Sequence, residues 1–220
     1  MVRDDAENPD PGFAELYASL PDAADLEPWL GWCRSAGGAV LYLGVGAGRL
    51  AVPLSAAGVE VVGWTPIQGC SNACVGGCQA PSWCGPGSRL DLGRRFPLVM
   101  GASSILADSA RLAVAARHSS RWVAMEMMNP HWLLAAEHPT VRVLNATHDH
   151  ASIEVDYPGG WTQSAAGVLR WPEDAESFIA EAGLELEVMR GRDPEAGLSE
   201  SPTYFVLASR WLRSAQTPST

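Results

Sequence analysis

Ala39-Val40-Leu41-Tyr42-Leu43-Gly44-Val45-Gly46-Ala47-Gly48-Arg49-Leu50 is the stretch that decides how the rest of the chain is read. Five apolar or aromatic residues run into a Gly-x-Gly-x-Gly turn, and an Ala/Leu-rich segment continues to Gly58. A second β-type run follows, Val59-Glu60-Val61-Val62-Gly63-Trp64. Strand, glycine turn, helix and strand make one βαβ unit. Its strands lie parallel, so the crossover is right-handed. Glycine lets the backbone turn sharply and approach a ligand that a Cβ would hold off. The spacing departs from the Gly-x-Gly-x-x-Gly of dinucleotide sites, because Arg49 takes the sixth position and the third glycine comes one residue early.

The totals bound the class. A chain of 220 residues suffices for one α/β domain with a full core. Hydrophobic residues make up 47% and charged residues 18%, which excludes a disordered chain. The formal charge of −10 argues against nucleic acid or an anionic membrane as partner, since both are bound through clustered Lys and Arg. No apolar run reaches the ~18 residues of a membrane-spanning helix. The polar start, Met1-Val2-Arg3-Asp4-Asp5-Ala6-Glu7, lacks the apolar core of a signal peptide. A cytoplasmic setting is predicted, in which the five cysteines are thiols or metal ligands before they are disulfides.

Working outward, residues 1–11 read as a flexible polar leader. Phe13, Leu16, Tyr17 and Leu20 fall at helical spacing, as do Leu26, Trp29, Leu30 and Cys33. Residues 66–88 are rich in Gly, Pro and Cys and read as a loop. Regular patterns return with strands at 96–101 and 122–128, separated by a helix that Asp108 caps. Residues 140–170 alternate as antiparallel strands around Pro158-Gly159-Gly160. A helix from Trp171 and two strands, Leu184–Met189 and Thr203–Ser209, complete a single domain over 12–210, with 211–220 a loose tail.

This order resembles a class I S-adenosylmethionine-dependent methyltransferase, most of all the small-molecule branch found in specialised metabolism. Gly44-Val45-Gly46-Ala47-Gly48-Arg49-Leu50 looks like the cofactor loop. Asp91 to Val99 resembles the approach to the fourth strand, Val123 to Pro130 the fifth, Trp171-Pro172-Glu173 the start of the late helix, and Ser201 to Ala208 the final strand. The resemblance implies a Rossmann-like α/β fold with a seven-stranded, mostly parallel sheet whose last strand is antiparallel, and a substrate-side insertion at 140–170. It also implies cofactor contacts from Tyr42, Gly44, Gly46, Gly48, Trp64, Thr65 and Ser103.

The chain departs from the family at its acids. Tyr42 stands where a carboxylate usually precedes the loop, and Thr65 stands where one usually grips the ribose diol. Exchanging two charge-assisted bonds for one neutral bond costs about 2–4 kcal/mol, roughly 30- to 1000-fold in affinity. Glu126 keeps an acid that this branch often carries. Three functions therefore fit. One is a methyltransferase acting on a small molecule, with a divergent cofactor pocket. The second is an enzyme on the same scaffold, such as a cyclase or lyase, that no longer transfers methyl. The third is a catalytically silent scaffold with a protein partner. A homodimer is compatible with each.

His131, just past the fifth strand, and Glu126 are the candidates for deprotonating an acceptor, since parallel α/β sites lie at strand C-terminal ends. Cys70, Cys74, Cys78 and Cys84 form C-x3-C-x3-C-x5-C. Four thiolates can close a structural zinc site, with free thiols and then disulfides as the alternatives. His148 and His150 flank Asp149 as a candidate metal pair or pH-sensitive surface.

Overall fold

The structure is a computed structural model that describes residues 1–4, 10–21, 23, 25–64, 90–135, 137–193, 195 and 197–210. Its main sheet is built from β2 (Val40–Leu43), β3 (Val61–Trp64), β4 (Phe96–Gly101), β5 (Ser119–Met128), β9 (Leu184–Gly191) and β10 (Thr203–Arg210). The spatial order is β3-β2-β4-β5-β10-β9, and β10 runs antiparallel to both neighbours. The other pairs described are parallel, as βαβ crossovers require. The resemblance implied seven strands; six are found among the described residues. Residues 65–89, where the seventh would fall, lie outside them, and 90–95 form no strand.

Alternation along β2 separates two cores. Leu41 and Leu43 face α4 (Ser109–His118) and α6 (Ala175–Glu181), packing with Val99, Leu112, Met125 and Phe178. Val40 and Tyr42 face α2 (Trp29–Ala36) and α3 (Ala51–Ala56), packing with Trp29, Cys33, Leu54 and Phe205. A central strand buried on both faces reads as a continuous apolar run, as β2 does. The helices start where the sequence supplies caps. Asp108 accepts the Arg111 N–H at the start of α4. Asp10 accepts the Gly12 N–H at the start of α1 (Pro11–Ser19), with Pro11 in the first turn, where a missing N–H costs nothing.

A second sheet has the order β1-β8-β7-β6, with β1 (Val2–Asp4), β6 (Val141–Ala146), β7 (His150–Tyr157) and β8 (Trp161–Val168). The last three form an antiparallel meander within 140–170. The first corrects the sequence reading at residues 2–4. The flexible leader expected there is a strand paired in parallel with β8, and Val2 is 2% exposed. Val2 alone supplies the apolar burial, packing with Leu16, Tyr17 and Trp161, which two flanking charges masked in the sequence. The sheet meets α5 (Pro130–Ala135) through Leu133, Ala151 and Ile153, and meets α1 through Val2 and Leu16. It thereby bridges two helices at the C-terminal edge of the main sheet. No helix among the described residues is long and apolar enough to cross a membrane.

Candidate functional site

The glycine turn leaves β2 with φ of 77° at Gly44, 54° at Gly46 and 91° at Gly48, a region other residues enter at a cost of about 1–2 kcal/mol. The N–H groups of Gly44 and Val45 donate to the Trp64 carbonyl at 2.8 and 3.0 Å, which folds the turn against the end of β3. A Cβ on Gly44 would come 3.1 Å from Ile105 Cδ1. At Gly46 a Cβ would meet Gly44 O and Tyr17 Cδ1, both at 4.0 Å, which is ordinary van der Waals contact. The turn is thus flanked by a ring from α1. Arg49 anchors the chain beyond α1, donating from Nε to the Pro21 carbonyl at 2.7 Å and accepting the Ala23 N–H at 2.9 Å.

Two of the expected cofactor contacts are core residues. Tyr42 is 5% exposed among the α2 and α3 side chains, and Trp64 is 3% exposed on the opposite face. What Trp64 gives the turn is its carbonyl. Thr65, Cys70, Cys74, Cys78 and Cys84 lie outside the described residues. Among the described residues no group of three His, Cys, Asp or Glu side chains is placed to hold a metal ion. The His148/His150 pair is separated: His148 stacks on Trp171, while His150 Nδ1 pairs with Asp149 Oδ1 at 3.1 Å on the surface.

Past β4 the backbone does something the sequence did not announce. Ser103 and Ser104 both adopt positive φ, 54° and 60°. Surrounding bonds over-determine this turn. Ser103 N–H donates to Glu126 Oε2 at 3.1 Å, and Ser104 N–H donates to the Glu126 carbonyl at 2.9 Å. The Ser104 hydroxyl oxygen accepts the Met128 N–H at 2.8 Å. Backbone strain held in this way collects at ligand-contacting sites.

Glu126 is 8% exposed and fully engaged. Besides Ser103, its Oε1 accepts from Arg192 Nη2 at 3.0 Å and from the Thr203 hydroxyl at 3.1 Å. Three donors, one of them cationic, hold this carboxylate in one place. Its place is that of a positioning residue joining the ends of β4, β5, β9 and β10. Sequence reasoning found Glu126 and missed Arg192; the signal was that a buried acid on a strand requires a cation.

His131 opens α5, and its Nε2 lies 2.5 Å from Glu173 Oε1. Its ring meets Trp171 edge-on at 4.9 Å, and the Trp171 indole N–H donates to the His148 carbonyl at 2.6 Å. A hydrogen bond to its own backbone, and then His131, hold the Glu173 carboxyl below the usual carboxylate range. The neutral tautomer that donates Nε2–H to an ionised Glu173 is the one that carries its lone pair on Nδ1. Buried Asn129 fixes the helix start: its Oδ1 accepts the His131 N–H, and its Nδ2 donates to the Leu198 and Ser201 carbonyls. The Ser201 hydroxyl oxygen in turn accepts the Arg192 N–H at 2.9 Å. One hydrogen-bonded chain thus runs from His131 to Arg192 and Glu126.

A parallel sheet closed by one antiparallel strand, with a glycine turn and polar groups gathered at the C-terminal edge, defines a doubly wound α/β fold. Within that class the fold is that of the class I methyltransferases. No family model and no curated protein matches the sequence. Solved structures do match over nearly the whole chain. The CcbJ methyltransferase from Streptomyces caelestis is 21% identical with a TM-score of 0.62, covering 89% of this chain and 95% of its own. An S-adenosylmethionine-dependent methyltransferase from Clostridium acetobutylicum is 12% identical with a TM-score of 0.63, covering 90% and 96%. The glycopeptide N-methyltransferase MtfA, complexed with S-adenosylmethionine, is 17% identical with a TM-score of 0.58, covering 87% and 97%.

Proposed function

We propose that this protein is an S-adenosylmethionine-dependent methyltransferase acting on a small molecule. The observation that carries this is the shared edge: the left-handed glycine turn at Gly44, Gly46 and Gly48 and the His131–Glu173 pair both stand at the C-terminal ends of the parallel strands. The solved S-adenosylmethionine complex of MtfA supports the choice of cofactor. The backbone of Gly44, Gly46 and Gly48 and the Tyr17 ring would hold it. When bound, the cofactor supplies an electrophilic methyl group on a sulfonium.

The chain's own residues then do three things. Ser103, exposed on the strained turn, lines the mouth. His131 Nδ1 takes the proton that the acceptor's nitrogen or oxygen releases as its lone pair forms the new bond. Glu173, acceptor to Nε2, steadies the imidazolium that results. Calorimetric titration with S-adenosylmethionine and S-adenosylhomocysteine tests the function. Micromolar dissociation constants are expected, and absence of heat up to millimolar ligand overturns it. That second outcome would favour a methyltransferase-fold enzyme that transfers no methyl, such as a cyclase or lyase. The observation on its side is Tyr42, buried in the core where the family usually has a carboxylate.

A further inference from the structure

We propose that Arg192 recognises an oxyanion, a carboxylate or phosphate, on the acceptor substrate. This rests on the methyltransferase function and narrows its substrate to anionic small molecules. Arg192 follows directly on β9, at the same edge of the sheet as the glycine turn. Its Nη2 and the Ser103 N–H bind opposite oxygens of the single Glu126 carboxylate, so the guanidinium stands one carboxyl group away from the strained turn. The hydrogen-bonded chain through Ser201 and Asn129 ties it to the start of α5, where His131 stands.

The guanidinium is tethered at one nitrogen and only partly used. Its backbone N–H is held by Ser201, its carbon lies 5.4 Å from the Phe205 ring centroid, and Glu126 holds one terminal nitrogen. Nε and Nη1 have no acceptor among the described residues, and the side chain is 46% exposed. A planar fork tethered at one nitrogen with donors to spare matches the two oxygens of a carboxylate or phosphate. Glu126 is buried while Arg192 is half-exposed, so the pair holds one terminal nitrogen and leaves the outer side of the guanidinium facing solvent. On a chain of net charge −10, an anchored cation at the mouth also gives an anionic acceptor a place to bind.

The test uses the full chain, nitrogen-15 labelled and saturated with S-adenosylhomocysteine, titrated with sodium acetate and separately with inorganic phosphate. The readout is the arginine Nε–Hε spectrum, with the Arg192 signal assigned by its loss in Arg192→Lys. Arg142, already bonded through Nε to Glu154, is the internal control. A saturable shift of the Arg192 signal with a steady Arg142 signal is expected, and the tighter of the two anions names the substrate group. Arg192→Gln should weaken the same anion roughly 10-fold or more, read by calorimetry, at unchanged S-adenosylhomocysteine affinity. No shift with either anion overturns the proposal. So does a shift seen only without S-adenosylhomocysteine, which would assign Arg192 to the cofactor's own carboxylate. Failure of S-adenosylhomocysteine to bind would instead overturn the methyltransferase function, and the anion titration still reads Arg192 by itself.

Discussion

The Glu126 carboxylate accepts the Ser103 N–H through Oε2 at 3.1 Å, and this bond places a buried charge under a turn with two left-handed serines. Two consequences are measurable. Glu126→Ala removes the acceptor and leaves Arg192 and Thr203 without it, which should cost about 1–3 kcal/mol in denaturant unfolding. Glu126→Gln keeps one oxygen and the shape and should cost less. A Glu126→Ala protein as stable as the parent would contradict the positioning role.

The His131–Glu173 pair predicts a divided effect on kinetics. His131→Ala should lower kcat roughly 100-fold or more while S-adenosylhomocysteine affinity, read by calorimetry, stays unchanged. Glu173→Gln should fall between the two, since the amide still orients the ring without stabilising its charge. If His131→Ala loses cofactor affinity and kcat together, the histidine is holding the edge of the site and is not its base.

Acid should dismantle that pair in a defined direction. Folding lowers the Glu173 carboxyl below its ordinary value, chiefly through its own backbone hydrogen bond and then through His131. Its contribution to stability is therefore present above the ordinary glutamate range near pH ~4.3 and is lost as pH falls through the lower folded value. The carboxylate is mostly exposed, so the effect is small. Melting temperatures of the parent and Glu173→Gln should differ at pH 7 and converge in strong acid. A difference that widens on acidification would reverse the sign.

Gly44 should tolerate no side chain. Its φ of 77° strains any L-residue, and a Cβ would meet Ile105 at 3.1 Å. Gly44→Ala should lose about 1–2 kcal/mol and weaken cofactor binding as well, whereas pairing it with Ile105→Val should recover part of the stability. Full binding by the single variant would show that the turn has room the geometry denies.

Cys33 should be silent to alkylation. Burial pushes its thiol up to about 12, so almost no thiolate exists at neutral pH. Iodoacetamide at pH 8 followed by peptide mass mapping should leave Cys33 unlabelled in the native protein and labelled after denaturation. Labelling at native-state rates would place it nearer the surface than its 3% exposure implies.

Most of the main sheet was legible because its signals are local. The apolar run of β2, the three loop glycines and the Asp108 cap each act within a few residues. His131 and Glu126 were legible as chemistry-bearing residues at a strand end. Their partners were not: Glu173 and Arg192 approach only when distant segments fold together, and no periodicity encodes that. The Ser103–Ser104 turn was invisible because serine has no preference for positive φ; the surrounding acceptors and donors impose it. β1 was lost because three residues, two of them charged, carry no β pattern, and tertiary pairing alone makes them a strand.

The pairing of Val2 with Gln163 also sets an order of events at the ribosome. The two residues are about 160 positions apart, so β1 and α1 leave the exit tunnel long before the strand that will receive them exists. Through most of synthesis the apolar faces of Val2 and Leu16 have no home, although both are nearly inaccessible in the finished molecule. Completion of β8 is the moment at which β1 gains its partner, and a ribosome stalled before that point would display these residues to chaperones.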